Sequence, residues 1–239
     1  MTDTSFAIEV KNLRFQWKSD QPILDIPSLV LTRGSHTFLK GSSGSGKSTL
    51  LSILAGIIKP DQGEVFIQGA DFLSLSPSKK DQFRSEHMGI IFQMFNLLPF
   101  LSVSDNICLP CRFSSARKQK AIQKFGSLEE EGKHLLSALG MAPSNVWDRA
   151  VGELSVGQQQ RVAAARALIG APDLIIADEP TSALDTDNRD SFINLLSQQA
   201  KEHDTTLLFV SHDENLAGHF DKIIHLEEIN QIQKLGVEA

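Results

Sequence analysis

The chain has 239 residues, 41 % of them apolar and 22 % charged, with a formal net charge of −6. That is enough apolar material for a core and too few charges for a disordered chain. The acidic balance argues against nucleic acid as a partner, which usually meets a basic surplus. Met1-Thr-Asp-Thr-Ser lacks the basic start and apolar block of a secretory leader. No apolar run reaches the about 20 residues that span a bilayer. The expectation is a soluble, cytosolic chain, with any membrane part supplied by a partner.

The chain opens with three antiparallel strands, Ala7 to Val10, Leu13 to Trp17 and Leu29 to Leu31. Phe15 and Trp17 share a face by period two. An aromatic face there suits either adenine stacking or plain packing. Arg33-Gly34 turns into a short apolar strand, Thr37-Phe38-Leu39, and Gly41-Ser-Ser-Gly-Ser-Gly-Lys47-Ser48-Thr49 follows. This is G-x-x-x-x-G-K-S between a strand and a helical run, Leu50 to Ala55, which is the context a phosphate-binding loop requires. Gly41, Gly44 and Gly46 let the chain turn tightly and close its N–H groups on phosphate oxygens. Ser42, Ser43, Ser45 and Thr49 complete the cradle. Lys47 brings a point charge to the β- and γ-phosphates, and the Ser48 hydroxyl reaches Mg²⁺.

Gly56 suits a helix C-cap. Pro60 to Gly63 is a turn and Glu64 to Gly69 a strand closing a hairpin. Ser74 to Glu86 is polar and helix-compatible. Gly89-Ile-Ile-Phe92 is an apolar strand ending at Gln93. Composition then changes. Residues 94–101 are apolar and broken by Pro99, and Arg112, Arg117, Lys118, Lys120 and Lys124 form a basic cluster that reads most simply as a solvated face. Leu128 to Leu139 is amphipathic. The whole middle section reads as an inserted helical lobe. It contains Cys108 and Cys111, a lone C-x-x-C with no second pair to complete zinc. A redox dithiol stays open there, and two buried small side chains are the simpler expectation.

Ser155 is a natural N-cap for a helix reaching Leu168, stopped by Gly170-Ala-Pro172. Leu174 to Ala177 is a buried strand that delivers Asp178-Glu179 at its carboxyl end, where open parallel sheets place ligands. Asp185, Thr186 and Asp187 start the next helix. Thr205 to Val210 is a strand ending in Ser211-His212, and Lys222 to Leu226 is the last strand. Phosphoryl transfer needs charge neutralisation and an oriented water. Lys47 and a metal held with Asp178 supply the first, and Glu179 is placed to activate water. His212 can donate to γ-phosphate oxygens.

With the phosphate loop 41–49, Gln93, Leu154-Ser-Val-Gly-Gln158, Asp178-Glu179, Ser182-Ala-Leu-Asp185 and His212 in this order, the chain resembles the ATPase subunit of ABC transporters over nearly its whole length. The resemblance implies an α/β, RecA-like P-loop core with an N-terminal antiparallel β subdomain and an inserted helical subdomain. One domain would span residues 1–239, with 1–93 and 160–239 as the core and 94–159 as the signature lobe. It implies ATP and Mg²⁺, and a head-to-tail homodimer in which Ser155, Gly157 and Gln158 of one copy, with Asp185, meet the ATP held by the other. Trp17 falls where that family stacks adenine. Gln93 would join Ser48 and Asp178 at Mg²⁺. Glu179, His212 and Lys47 would be the catalytic set.

Met88 to Pro99 and Asp105 to Pro110 look like the macrolide-exporter and lipoprotein-releasing branch. That implies a separate membrane permease with a large extracytoplasmic domain, and a cassette sitting peripherally on the cytoplasmic face of the inner membrane. An ATP-gated regulator of an envelope partner, moving no solute, is the alternative. Three residues depart from the family pattern. Val156 replaces the first of two signature glycines, Lys40 precedes the phosphate loop, and Val151 stands where proline is frequent.

Overall fold

The computed structural model describes residues 5–18, 21–182 and 186–232. In chain order the elements are β1 Phe6–Lys18, β2 Gln21–Thr32, β3 His36–Lys40, α1 Lys47–Leu54, β4 Gln62–Ile67, β5 Ala70–Asp71, α2 Pro77–His87, β6 Met88–Ile91, α3 Val103–Phe113, α4 Ser115–Phe125, α5 Leu128–Ala138, α6 Val156–Leu168, β7 Leu174–Asp178, α7 Thr186–Glu202, β8 Thr206–Ser211, β9 Lys222–His225 and α8 Leu226–Ile229. The chain forms two compact units, Met1–Lys80 with Leu208–Ala239, and Asp81–Leu207.

The first unit holds an antiparallel sheet in the order β2-β1-β4-β5. The sequence suggested two short strands at its start, but the structure has one, β1. Asn12 sits inside β1 at φ 49, and the β1–β4 register shifts between Lys11 and Arg14. Gly63 of β4 accepts that irregularity. At φ 105, a Cβ there would lie 2.6 Å from Leu13 Cα. The polar Lys11-Asn12 step that looked like a break is therefore a kink within a continuous strand. β3 is buried on both faces and pairs in parallel with β9, Phe38 opposite Ile223. The rings of Phe38, Phe209 and Phe220 pack together beneath it, with centroids 5.0–6.2 Å apart. Gly56 follows the C-cap of α1 at φ 67, as its position in the sequence suggested.

In the second unit β6 pairs in parallel with β7, Met88 opposite Leu174. Gly89 has to be glycine, because a Cβ there would stand 2.3 Å from the carbonyl oxygen of Ala167 at the end of α6. Residues 103–113, 115–125 and 128–138 are helical, as expected, with Ser102, Ser114 and Ser127 capping α3, α4 and α5, but residues 94–102, also expected to be helical, form turns and irregular chain instead. The basic stretch is not one solvated face. Lys118, Lys120 and Lys124 are exposed, but Arg117 is buried. Its guanidinium donates to the carbonyls of Ile169 (2.8 Å), Met88 (3.1 Å) and Ala167 (2.9 Å). Periodicity cannot reveal this, since the partners lie 29 to 52 residues away. Among the described residues, no helix is long and apolar enough to cross a membrane.

Candidate nucleotide site

In the first unit β3 ends at Lys40, and α1 begins at Lys47 with Gly46 as its N-cap at φ 100 and no side-chain cap. The N–H groups of its first turn are thus open to an anion. A Cβ on Gly46 would lie 2.9 Å from Leu24 of β2, and one on Gly41 would lie 2.6 Å from Ser45 Oγ. A side chain at either position would displace these neighbours, and Gly46 also needs its positive φ. Lys47 is buried, and its ammonium donates to Gly41 O (2.6 Å) and Ser42 O (2.9 Å). Ser45 Oγ is buried with no hydrogen-bond partner among the described residues. A buried hydroxyl, uncapped helix N–H groups and an ammonium within one glycine cradle match the chemistry of a polyphosphate. Ser42, Ser43, Gly44 and Ser48 are exposed, so the Ser48 hydroxyl stands open to a cation.

Two acidic side chains from the C-terminal part of this unit reach the same stretch. Glu227 of α8 accepts from Ser42 N–H (2.6 Å) and Ser42 Oγ (3.0 Å). Partial burial works against its ionised form, yet the Ser42 donors and the Lys47 charge hold its carboxyl below the usual range. Glu214 pairs with Lys40 (2.7 Å), and this accounts for a lysine just before the loop. The Lys40 bond and charge lower the Glu214 carboxyl as well. Neither contact was legible in the sequence, because neither glutamate lies in a motif. His212 is exposed and enters a 3-10 turn, Glu214–His219, capped by Asp213. Trp17 is 61 % exposed and meets Phe15 edge-on at 4.9 Å, while Phe15 is buried. The shared face of the two rings is therefore divided between packing and an open aromatic surface.

In the second unit Asp178 is the last residue of β7, and Glu179 follows at φ 45, buried. A left-handed glutamate costs on the order of 1 kcal/mol or more, and such outliers cluster at functional positions. Ser155 caps α6 in a complete capping box. Gln158 N–H donates to Ser155 Oγ (3.3 Å) and Ser155 N–H to Gln158 Oε1 (3.0 Å). Val156 occupies the first helical position and is 51 % exposed, so in this chain it does not distort the turn. Val151 N–H donates to Leu101 O (3.0 Å), a bond that proline could not make. Gln93 is exposed and lies in a turn two residues beyond the end of β6, not on the strand itself. Asp185 lies outside the described residues. Cys108 and Cys111 are free thiols on α3, both pushed up to about 11, chiefly by burial. No cluster of three His, Cys, Asp or Glu side chains stands ready for a metal among the described residues.

The ABC transporter family profile matches residues 24–182. The chain belongs to that family. The cassette is 37 % identical over 200 residues to the lipoprotein-releasing system ATP-binding protein LolD of Saccharophagus degradans, covering 84 % of each chain. It is 36 % identical over 209 residues to the macrolide export ATP-binding/permease protein MacB of Rhodopirellula baltica, covering 87 % of this chain and 30 % of that one. Among solved structures it resembles the dimeric post-hydrolysis state of the ATP-binding cassette MJ0796 bound to ADP and phosphate. The TM-score is 0.75 with 32 % identity, over 91 % of this chain and 93 % of that one. The cassette is an ATPase with the α/β fold that its sequence suggested.

Proposed function

We propose that the cassette is the ATP-hydrolysing subunit of a LolD- or MacB-like transporter, driving a separate permease that exports or extracts a lipoprotein, peptide or drug-like molecule. The single observation that carries this reading is the glycine cradle around Lys47, in a chain whose signature serine caps its own helix. In this reading Trp17 stacks adenine, the 41–49 loop holds the phosphates, and Ser48, Gln93 and Asp178 hold Mg²⁺. The metal would supply charge neutralisation for the transferred phosphoryl group. Glu179 orients and deprotonates the attacking water, His212 donates to the γ-phosphate, and Lys47 stabilises the charge that builds in transfer. Two copies pair head to tail, so that Ser155, Gly157, Gln158 and Asp185 of one copy meet the ATP of the other. The relative solved as a dimer supports this arrangement.

A groove of about 530 Å³ in the second unit supports the permease half of the reading. Met88, Phe92, Pro110 and Phe113 line it, and Phe113 is largely exposed at its edge. Exposed apolar side chains at a concave surface suit a partner's helix. A permease with an extracytoplasmic domain would seat the cassette on the cytoplasmic face of the inner membrane. The test is Glu179→Gln. It binds ATP, hydrolyses it at under about one hundredth of the wild-type rate, and accumulates as an ATP-dependent dimer on size exclusion. Hydrolysis at the wild-type rate removes Glu179 from the base role. Copurification of a membrane protein that raises ATPase turnover tests the partner.

A further inference from the structure

The backbone just after Gln93 is strained in an unusual way. Phe95 and Asn96 are consecutive non-glycine residues in the left-handed region, at φ 59 and φ 48. Phe95 N–H donates to Phe92 O (2.9 Å), closing a β-turn over Gln93 and Met94. Asn96 N–H donates to Met94 O (2.7 Å), closing a γ-turn with a positive φ at Phe95, which is a rare and strained form. Such a pair of turns persists only where its surroundings over-determine it. Phe95 is buried, Asn106 of α3 bonds both the N–H and the carbonyl of Leu98 (2.8 and 3.0 Å), and one side chain bonds the two carbonyls of the kink itself. Arg166, on the signature helix α6, donates Nη2 to Phe95 O (2.6 Å) and Nη1 to Asn96 O (2.7 Å). The planar guanidinium meets both carbonyls of the kink with two donors held in a fixed fork. Burial lowers Arg166 to about 10, still fully charged at neutral pH.

Further along, the same strap is fastened to the residues that lead into the signature. Gly152 N–H donates to Pro99 O (3.1 Å) and Val151 N–H to Leu101 O (3.0 Å). Residues 95–101 are thus tied at one end to the side of α6 and at the other to the approach to its N-terminus.

We infer that Arg166 is a positioning residue for Gln93: it holds the Phe95–Asn96 kink and so fixes the turn that presents Gln93. This rests on the reading of Gln93 as a Mg²⁺ ligand, and the two are separable by experiment. Full-length wild-type, Arg166→Ala and Gln93→Ala proteins are compared by amide exchange and by the Mg²⁺ dependence of ATPase turnover, with Arg166→Lys as a second variant should Arg166→Ala fail to fold. Loss of the fork opens the kink. The Phe95 and Asn96 amides then exchange at least about tenfold faster while those inside α6 do not change. The Mg²⁺ concentration for half-maximal turnover rises towards that of Gln93→Ala, and ATP binding in EDTA is unchanged. Wild-type exchange at those two amides overturns the inference. So does a Mg²⁺ requirement that moves in Gln93→Ala but not in the Arg166 variant. If Gln93→Ala itself leaves the Mg²⁺ requirement unmoved, the assignment of Gln93 fails, and the exchange result alone decides whether Arg166 holds the kink.

Discussion

Glu227 takes both donors of Ser42, the second residue of the phosphate loop and 185 positions away along the chain. The Ser42 N–H and the Gly41 carbonyl belong to one peptide unit, and that carbonyl accepts from Lys47 at 2.6 Å. A carboxylate on one side of the peptide and an ammonium on the other polarise it in the same sense and strengthen both bonds. The arrangement also sets a negative charge beside a loop built to receive phosphates. Glu227→Gln keeps an acceptor and removes the charge. It is expected to bind ATP about three- to fivefold more tightly at low salt, the effect of one unit charge in partly hydrated surroundings, with the gain fading as salt screens it. Isothermal titration at two ionic strengths checks this, and weaker binding contradicts it. The carboxyl ionises at lower pH in the folded chain than when unfolded, so its contribution to stability is present at neutral pH. It is lost as pH falls through the carboxylate range.

Arg117 is a fully buried charge in the second unit. Its removal strands the carbonyls of Ile169, Ala167 and Met88 and leaves a cavity where α6 runs into β7. Glu131 stands at the same place and accepts from Gly170 N–H through both carboxylate oxygens. Arg117→Ala is expected to lower unfolding stability by about 3 kcal/mol or more in urea titration, on the scale of breaking a buried charged network. Arg117→Lys recovers only part of the loss, because one ammonium cannot replace a fork aimed at several carbonyls. A loss under about 1 kcal/mol would leave the network without energetic weight.

The signature helix separates two roles that the sequence merges. Ser155→Ala breaks the capping box and should cost about 1 kcal/mol. Val156→Gly removes a side chain that is half in solvent at the first helical position, so its stability change should stay within about 1 kcal/mol. Thermal melts of the two variants, taken beside ATPase rates, distinguish capping from catalysis. A tenfold faster Val156→Gly enzyme would show that the valine obstructs the reaction.

Cys108 and Cys111 both sit at about 11, with burial as the leading cause. The thiolate is the nucleophile, so at pH 8 only about one molecule in a thousand is reactive. The folded cassette should therefore resist iodoacetamide at pH 8 and label fully once unfolded in urea, as mass spectrometry can check. Rapid labelling of the folded protein would reopen a redox role for the pair.

The phosphate loop, the capped signature helix and the strand ending in Asp178-Glu179 were legible in the sequence because each is local. Glycine spacing, an N-cap serine and a run of β-branched and apolar residues act on their own neighbours within a few positions. The single strand β1 was not legible, since Asn12 at φ 49 looks like a break until Gly63 of another strand is seen to accommodate it. The buried Arg117 was hidden for the same reason. A basic residue on an amphipathic helix carries no mark of carbonyls that arrive from 50 residues away.

By itself the sequence determined the local order of the groups proposed to meet ATP, because covalent spacing alone places a lysine and a serine after a glycine turn. Only the tertiary structure decided what holds those groups. Glu227 on Ser42, Glu214 on Lys40 and Arg166 on Phe95 and Asn96 are contacts between residues 70 to 185 positions apart. Such contacts exist only once folding has brought groups far apart in the chain into hydrogen-bond range, so no local pattern announces them.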